Sequence, residues 1–537
     1  MNQRLVSEYL AKVEQWPWER IGQFSLIGLL CFLLALMPFQ PGFVLDEVHL
    51  LFYTFLLFLA CLYRPTWSFL LLTALLPLET TNLLPVHLGI DLRPYQLLTV
   101  TLALALAVRL MTKKINWPLF TLTRIDWCVA LLGVGSLLAI VGALDPAKAT
   151  KSTLIFVSFA GLYGIMRYFL SQTALRSQSI LALSVGTGVV FLVALWQNIA
   201  SLGGWTTHMV MDGRPNSTFF EADWLGLFSA LIVLLSTAGI WYSFKKKYHR
   251  RQPFGFIALV VMLFVSWMVL VLTVARSAWL ATLVGLIILF LGGLYSVRAG
   301  WWRRKLLLIT STVVILTAIS AVVVVTTTGL TRFDISQRLS STATGEQLIT
   351  VACTTETVLP ETISSLEMLA SYGCQHIRLE EKEILRESGM SIQEVKRVDP
   401  NFNTRSEIYK KTFTLIQSHS LLGIGGGNSA LVLGTDAQGA SLNASNLFLE
   451  TWLSNGLLGL LALLAIFGIL LVRFLDECRR GSEKHLLGLA LLLALITFNL
   501  FNAGMLLGIF FGLLAYLATL AEESGHMIKL ETDFKVL

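Results

Sequence analysis

Residues 254–295 read FGFIALVVMLFVSWMVLVLTVARSAWLATLVGLIILFLGGLY. Two apolar runs, 254–274 and 277–295, flank a single charged residue, Arg276. Each run holds the roughly 20 residues that a helix needs to cross the hydrocarbon core of a bilayer. Inside lipid every backbone N–H and C=O must find its partner within the chain, so runs of this kind form helices. The connection between them is short enough to be only a turn, with Arg276 at its tip.

The same pattern recurs along the chain. Twelve further candidate spans run over 22–39, 49–63, 66–78, 95–111, 126–143, 151–170, 179–201, 222–242, 305–327, 452–475, 485–501 and 504–520. Two pairs are closely joined, one by Arg64-Pro65 and one by Asn502-Ala503-Gly504, so the count is twelve to fourteen. Composition agrees: 55% of the 537 residues are hydrophobic and only 14% charged, against about 25% charged in a soluble domain. These figures exclude disorder and argue against a soluble globular enzyme. The net charge of +7 is explained by short basic loops, so nucleic acid is not an expected partner. The first apolar run is long and lacks a small-residue cleavage pattern, so no cleavable signal peptide is expected.

Lysine and arginine set the orientation. With the N-terminus in the cytoplasm, inward-facing segments carry 25 of the 40 Lys and Arg residues. The short outward loops carry five, namely Arg93, Lys148, Lys151, Arg214 and Arg276. The expected protein is an all-α polytopic membrane protein with both termini cytoplasmic. It divides into N-terminal spans (1–204), spans with outer arginine motifs (205–327), a large extracytoplasmic loop (328–451), and C-terminal spans with a tail (452–537).

The loop is expected to be folded and mostly helical, with helices over 361–372, 377–388 and 403–416. Its two cysteines, Cys353 and Cys374, either pair in an oxidising compartment or stand as free thiols. In the last helix Ile408, Thr412, Leu415 and Ile416 share one face, and Arg405 lies near the N-terminal end, so the helix suits a membrane surface. The cluster Gly423-Ile424-Gly425-Gly426-Gly427 lacks the Gly-Lys-Ser/Thr ending of a P-loop. It is either a tight turn or a backbone cradle for phosphate.

Several motifs, in order, resemble the O-antigen ligase and polymerase superfamily of bacterial membrane glycosyltransferases. They are Gly213-Arg214-Pro215-Asn216-Ser217-Thr218-Phe219, Thr273-Val274-Ala275-Arg276-Ser277, the Arg405 helix, and His419-Ser420-Leu421-Leu422-Gly423-Ile424-Gly425. Asn446-Leu447-Phe448-Leu449-Glu450, ending in Asn455-Gly456-Leu457-Leu458-Gly459, completes the set. The resemblance covers roughly residues 205–475. It implies transfer of a glycan from a polyprenyl-pyrophosphate carrier to a glycan, lipid or protein acceptor. The reaction takes place outside the bacterial cytoplasmic (inner) membrane, with inverting chemistry and no metal or other cofactor.

A departing pyrophosphate develops negative charge, and arginine suits it by being always charged and bidentate. The resemblance accordingly points to Arg276 and Arg405 as catalytic cations and to Arg214, Ser445, Asn446 and Gly425 as substrate-binding residues. Other readings stay open: a loop charge for Arg214, a snorkelling residue for Arg276, and a helix surface charge for Arg405. The family often places His-Asn where this chain has Ser445-Asn446, and serine is no base at neutral pH without activation. Glu450 is a candidate base or a helix anchor, and His419 a candidate base or a turn residue. Two other classes compete, a small-solute transporter and a non-catalytic envelope scaffold. The spans show no internal repeat and are nearly free of central charges, which disfavours the transporter.

Overall fold

The computed structural model describes residues 18–39, 46–84, 91–115, 121–245 except 208 and 212, 252–296, 301–335 except 332 and 334, 346–398 except 355–357, 364–365, 378–384 and 387, 400–435 and 442–523. The apolar runs form helices α1 (Trp18–Leu36), α2 (Glu47–Tyr63), α3 (Pro65–Leu75), α4 (Pro94–Met111), α5 (Arg124–Ala139), α6 (Pro146–Leu170) and α7 (Thr173–Leu202). They continue with α8 (Ala222–Lys245), α9 (Pro253–Leu272), α10 (Arg276–Ser296) and α11 (Trp301–Thr327). Every apolar run expected to span gives a helix. Among the described residues, nine helices are long and apolar enough to cross a membrane on their own.

Local chemistry places the starts. Proline occupies the first position of α3, α4, α6 and α9, where its missing N–H costs nothing. The Asp145 carboxylate accepts the amides of Ala147 and Lys148 at the head of α6. Thr123 and Asp126 cap each other's amides at the head of α5.

Polar contacts at the helix ends give the direction of each helix. Arg109, near the end of α4, donates to the Leu62 carbonyl near the end of α2. Arg93, before α4, pairs with Glu79, beyond α3, at 2.7 Å. So α2 and α3 run in opposite directions, with Arg64 at the turn. The last two helices, α16 (Glu483–Asn499) and α17 (Gly508–Glu522), separate in the same way. Glu483 pairs with Lys245, Asn502 donates to Ser277, the Gly508 amide donates to Glu79, and Glu522 pairs with Arg167. The bundle thus has a basic end, marked by Arg64, Arg109, Arg167 and Lys245, and a loop end, marked by Arg93, Arg214 and Arg276.

At the basic end Arg167 is 1% exposed. Its guanidinium reaches Asp126 at 3.1 Å, Glu522 at 2.5 Å and Thr519 at 2.8 Å, joining α5, α6 and α17. Tyr163 donates to the same Asp126 at 2.5 Å. A charge so buried persists only when its donors are matched.

Among its described residues the long polar segment is not mostly helical. It holds strands β1 (Glu346–Cys353), β2 (Thr362–Ile363), β3 (Cys374–His376) and β4 (Ser391–Val398), with a five-residue helix α12 (Glu367–Ser371). The sheet order is β2-β4-β1-β3. The expected helix over 361–372 shrinks to α12 behind a strand. In the expected helix over 377–388, residues 378–384 and 387 lie outside the described set. The strands win because β1 carries Ile349, Thr350 and Val351, β-branched residues that pack on a pleated surface. Ile349, Val351, Cys353, Ile363, Leu369, Cys374 and Val395 make a small core apart from the bundle. Cys353 and Cys374 face each other on β1 and β3 and are joined by a disulfide.

After the sheet come α13 (Pro400–Ser418), the short α14 (Ser429–Leu433) and α15 (Leu447–Arg479). The apolar face of α13 does not lie on a membrane surface. Ile408 and Thr412 are buried, and Ile416 packs with Ile424 and Leu453 of the next segments.

Candidate functional site

The loop end is built from five segments. The first is 213–219. Asn216, Ser217, Thr218 and Phe219 are all buried, so this loop dips into the bundle. Buried loop backbone needs partners, and much of this loop finds them. The Ser217 amide donates to Gln197 at 2.7 Å, and its hydroxyl to the carbonyl of Val190, well inside α7. The Thr218 carbonyl accepts the amides of Glu79 and Thr80.

The anchored loop presents Arg214. Its Nε donates to the Thr273 carbonyl at 2.7 Å and its Nη2 to Asp223 Oδ1 at 2.8 Å. Thr273 opens the second segment, the turn between α9 and α10. Val274 there has φ of 52°, a left-handed conformation that a β-branched residue adopts only under constraint. Arg276 follows as the first residue of α10. The Arg214 side chain therefore reaches the turn that carries Arg276.

The third segment, 499–508, connects that turn to the fourth. Asn502 donates to the Ser277 hydroxyl at 3.0 Å, and the Leu500 carbonyl accepts the Asn446 amide group at 2.9 Å. Asn446 caps α15, its Oδ1 accepting from the amides of Phe448 and Leu449. Ser445 beside it also has a left-handed backbone, φ 48°, and its carbonyl accepts the Tyr409 hydroxyl at 3.5 Å. Tyr409 lies one helical turn beyond Arg405 on α13. Arg405 itself makes no hydrogen bond or ion pair among the described residues. A continuous set of contacts thus runs from Arg276 through Asn502, Asn446 and Ser445 to the Arg405 end of α13.

Glu450 is an anchor in this geometry. Its Oε1 accepts from Ser429 at 2.6 Å and Ser454 at 2.9 Å, and its Oε2 from the Ala444 amide at 2.8 Å. His419 sits at the other end of α13, fourteen residues from Arg405 and so roughly 21 Å along the helix. Its Nδ1 lies 3.3 Å from the Leu415 carbonyl and 2.9 Å from the Ser418 hydroxyl. Arg214 reaches the turn that carries Arg276, and Ser445 meets the Arg405 helix at Tyr409, whereas His419 lies at the other end of that helix.

The fifth segment, 419–428, explains the glycines. Gly456 breaks α15 with φ of 67°. The Leu453 carbonyl it frees accepts the Ile424 amide at 2.7 Å, while the Leu457 amide turns to the Leu421 carbonyl at 3.1 Å. A Cβ on Gly456 would sit 2.1 Å from that Leu421 oxygen. Gly425 is buried, and a Cβ there would meet Ala143 and Ala149 within 2.8 Å. The cluster is thus a turn wedged between the α15 kink and the start of α6.

Sequence reading passed over the network of Glu79, Arg93 and Tyr95. Glu79 is buried beyond α3 and accepts from Tyr95, Arg93 and the Gly508 amide. Burial raises its carboxyl above the ordinary value, against the pull of Arg93. Arg93 also lies over the rings of Phe220 and Phe159. A single Glu beside a span was the only signal available for it.

These features define a multi-pass helical membrane protein whose Arg214, Arg276 and Asn446 lie at the end of the bundle opposite its basic end. Residues 261–464 match the family model described as O-antigen ligase, which supports the O-antigen ligase and polymerase superfamily for that part of the chain. The match includes Arg276, Arg405, His419, Gly425, Ser445, Asn446 and Glu450; Arg214 precedes it. The domain implies a glycosyltransferase-like enzyme of surface polysaccharide assembly. No curated protein matches the chain.

Proposed function

We propose that this protein transfers a glycan from a polyprenyl-pyrophosphate carrier to an acceptor at the outer face of the bacterial cytoplasmic membrane. The loop end faces outward in this reading, with both termini inside, as the lysine and arginine distribution favours. The observation that carries it is the bond from Arg214 to the Thr273 carbonyl, which ties Arg214 to the turn carrying Arg276 at the start of the stretch matched as O-antigen ligase.

The chemistry follows from the charges. An acceptor hydroxyl attacks the anomeric carbon, the bond to the pyrophosphate oxygen breaks, and the electron pair leaves on pyrophosphate. Configuration inverts in a single displacement. Arg276 and Arg405 stabilise the developing charge, since fixed donors aimed at it need no reorganisation. Arg214, Ser445 and Asn446 position the donor, directly or through the loops they hold. The acceptor approaches beneath the sheet-bearing segment, and its proton passes to His419 or Glu450, the two candidate bases. This use of the chain follows the division into 1–204, 205–327, 328–451 and 452–537.

Arg276→Ala and Arg405→Ala test the reading. Each is expected to abolish transfer while membrane insertion stays intact, and unchanged transfer in both variants refutes it. Glu450→Gln and His419→Ala separate the two bases. Surface glycan from a host lacking the gene distinguishes the acceptor: accumulated carrier-linked polymer indicates a ligase, and single repeats without chains indicate a polymerase.

A further inference from the structure

Two segments hold the Arg276 turn, and both also reach one ion pair. The 213–219 loop holds the turn through the Arg214 bond to Thr273. The 499–508 segment holds it through Asn502 and Ser277. The amides of Glu79 and Thr80 donate to the Thr218 carbonyl of the loop at 2.9 and 3.0 Å, and Thr218 Oγ1 donates to the Pro77 carbonyl at 2.7 Å. The Glu79 side chain is fully buried. Its Oε1 accepts the Gly508 amide at 2.7 Å, and its Oε2 pairs with Arg93 at 2.7 Å and accepts the Tyr95 hydroxyl. Arg93 touches the same two stretches of chain. Its Nη1 donates to the Leu506 carbonyl at 3.3 Å, and its guanidinium lies 5.1 Å from the ring of Phe220, the residue after the loop. A Cβ on Gly508 would sit 2.9 Å from the Tyr95 ring and 3.0 Å from the Leu76 carbonyl oxygen, so the segment is seated closely there.

We infer that Glu79 and Arg93 are positioning residues for the proposed transfer: the pair fixes the 499–508 segment against the 213–219 loop and so sets where the Arg276 turn sits between them. The inference rests on the reading proposed above and adds residues that lie outside the stretch matched as O-antigen ligase. The contacts close a ring. One arm runs from Glu79 through Thr218 and Arg214 to Thr273, and the other from Ser277 through Asn502 and Gly508 back to Glu79. The arms are unequal. The loop has anchors of its own on α7, where Ser217 bonds to Gln197 and Val190. The 505–508 stretch is held by Glu79 and Arg93, and the same segment supplies the Leu500 carbonyl that receives Asn446. Releasing the pair therefore shifts Asn502 and Asn446 relative to Arg276 while the loop stays in place. A shift on the order of 1 Å can cost about a hundredfold in rate. Apolar residues of similar volume would be about as stable here as a buried ion pair, but they would not orient three donors at once.

The test uses the full-length protein in lipid nanodiscs. Membranes from a host lacking the gene supply donor and acceptor, and diluting them titrates the donor. Glu79→Gln keeps the shape of the side chain and removes its charge. It should lower kcat per folded molecule about tenfold or more, with the apparent KM for donor within about twofold. Amide hydrogen exchange should rise over 499–508 and rise less over 213–219. Glu79→Gln combined with Arg93→Gln leaves neither charge unpaired, and it tests the same point should the single variant fail to fold. Arg167→Ala breaks a buried pair at the opposite end of the bundle and is the comparison. It should lower folded yield and leave kcat per folded molecule unchanged. If the Glu79 variants behave in the same way, losing folded protein but not kcat, the pair serves stability alone and the inference is overturned. Unchanged exchange over 499–508 overturns it too, as does a loss confined to KM. Arg276→Ala keeps the two readings distinct. If that variant transfers normally, the proposed function fails, and exchange over 499–508 still decides whether Glu79 and Arg93 hold the segment.

Discussion

Arg214 Nε donates to the carbonyl oxygen of Thr273 across 2.7 Å, binding a loop that dips into the bundle to the turn that carries Arg276. Fifty-nine residues separate the two in the chain. The contact couples the arginines: a change that moves the 213–219 loop also moves the turn, and the Asp223 carboxylate holds the guanidinium between them.

That coupling makes the effects of Arg214 and Asp223 non-additive. Arg214→Ala should lower transfer on the order of a hundredfold, as removal of a fixed charged donor does. Asp223→Asn should lower it about tenfold by releasing the guanidinium, with no further loss in an Arg214→Ala background. Glycan transfer in isolated membranes measures all three. Additive losses in the double variant count against a shared role.

Gly456 is required by its backbone conformation and by the close Leu421 oxygen. Gly456→Ala should destabilise the protein by at least about 2 kcal/mol, combining the left-handed penalty with the clash. Gly468, where an added Cβ would meet nothing within 4 Å, provides the comparison. Gly468→Ala should be neutral or stabilising. Thermal unfolding in detergent compares the two, and equal midpoints would contradict the wedge described for 419–428.

The Cys353–Cys374 disulfide closes a separation of 21 residues around the small core of the sheet. Cys353→Ser with Cys374→Ser should destabilise the sheet by roughly 3 kcal/mol in the chain-entropy model. Amide hydrogen exchange across 346–398 should accelerate accordingly, with the helical bundle unaffected. Unaltered protection in the sheet would show that its apolar core suffices.

Arg167→Ala should cost about 3–5 kcal/mol by leaving the buried Asp126 and the half-buried Glu522 without their cation. The lesion lies at the end of the bundle opposite Arg276. Its signature is therefore loss of folded protein with transfer per folded molecule retained. A fall in specific transfer at full folded yield would show that the two ends are coupled.

Much of this was legible in the chain. All fourteen apolar runs form helices, because hydropathy is a local property and lipid allows the backbone no other solution at that length. The Gly423–Gly427 cluster was readable as either a turn or a phosphate cradle, and the packing of Gly425 and Gly456 makes it a turn. The sheet was not. Its strands are short, its apolar positions interrupted, and Glu380-Glu381-Lys382-Glu383 reads by composition as a solvated helix face. The membrane-surface placement of α13 failed for a related reason. An amphipathic face states that it is buried, not against what, and Ile416 found Ile424 and Leu453 instead of lipid.

The chain alone determined that the protein is a helical bundle in a membrane, with few charges at one end and many at the other. It also singled out Arg214, Arg276 and Arg405 as residues of interest, by their scarcity and by a family resemblance. Tertiary structure alone decided that Arg214 reaches Thr273, that Glu450 spends both oxygens on neighbouring donors, and that His419 lies a helix length from Arg405. Spans and caps follow from interactions within a few residues. Contacts between distant loops depend on how fourteen helices pack, which no local pattern encodes.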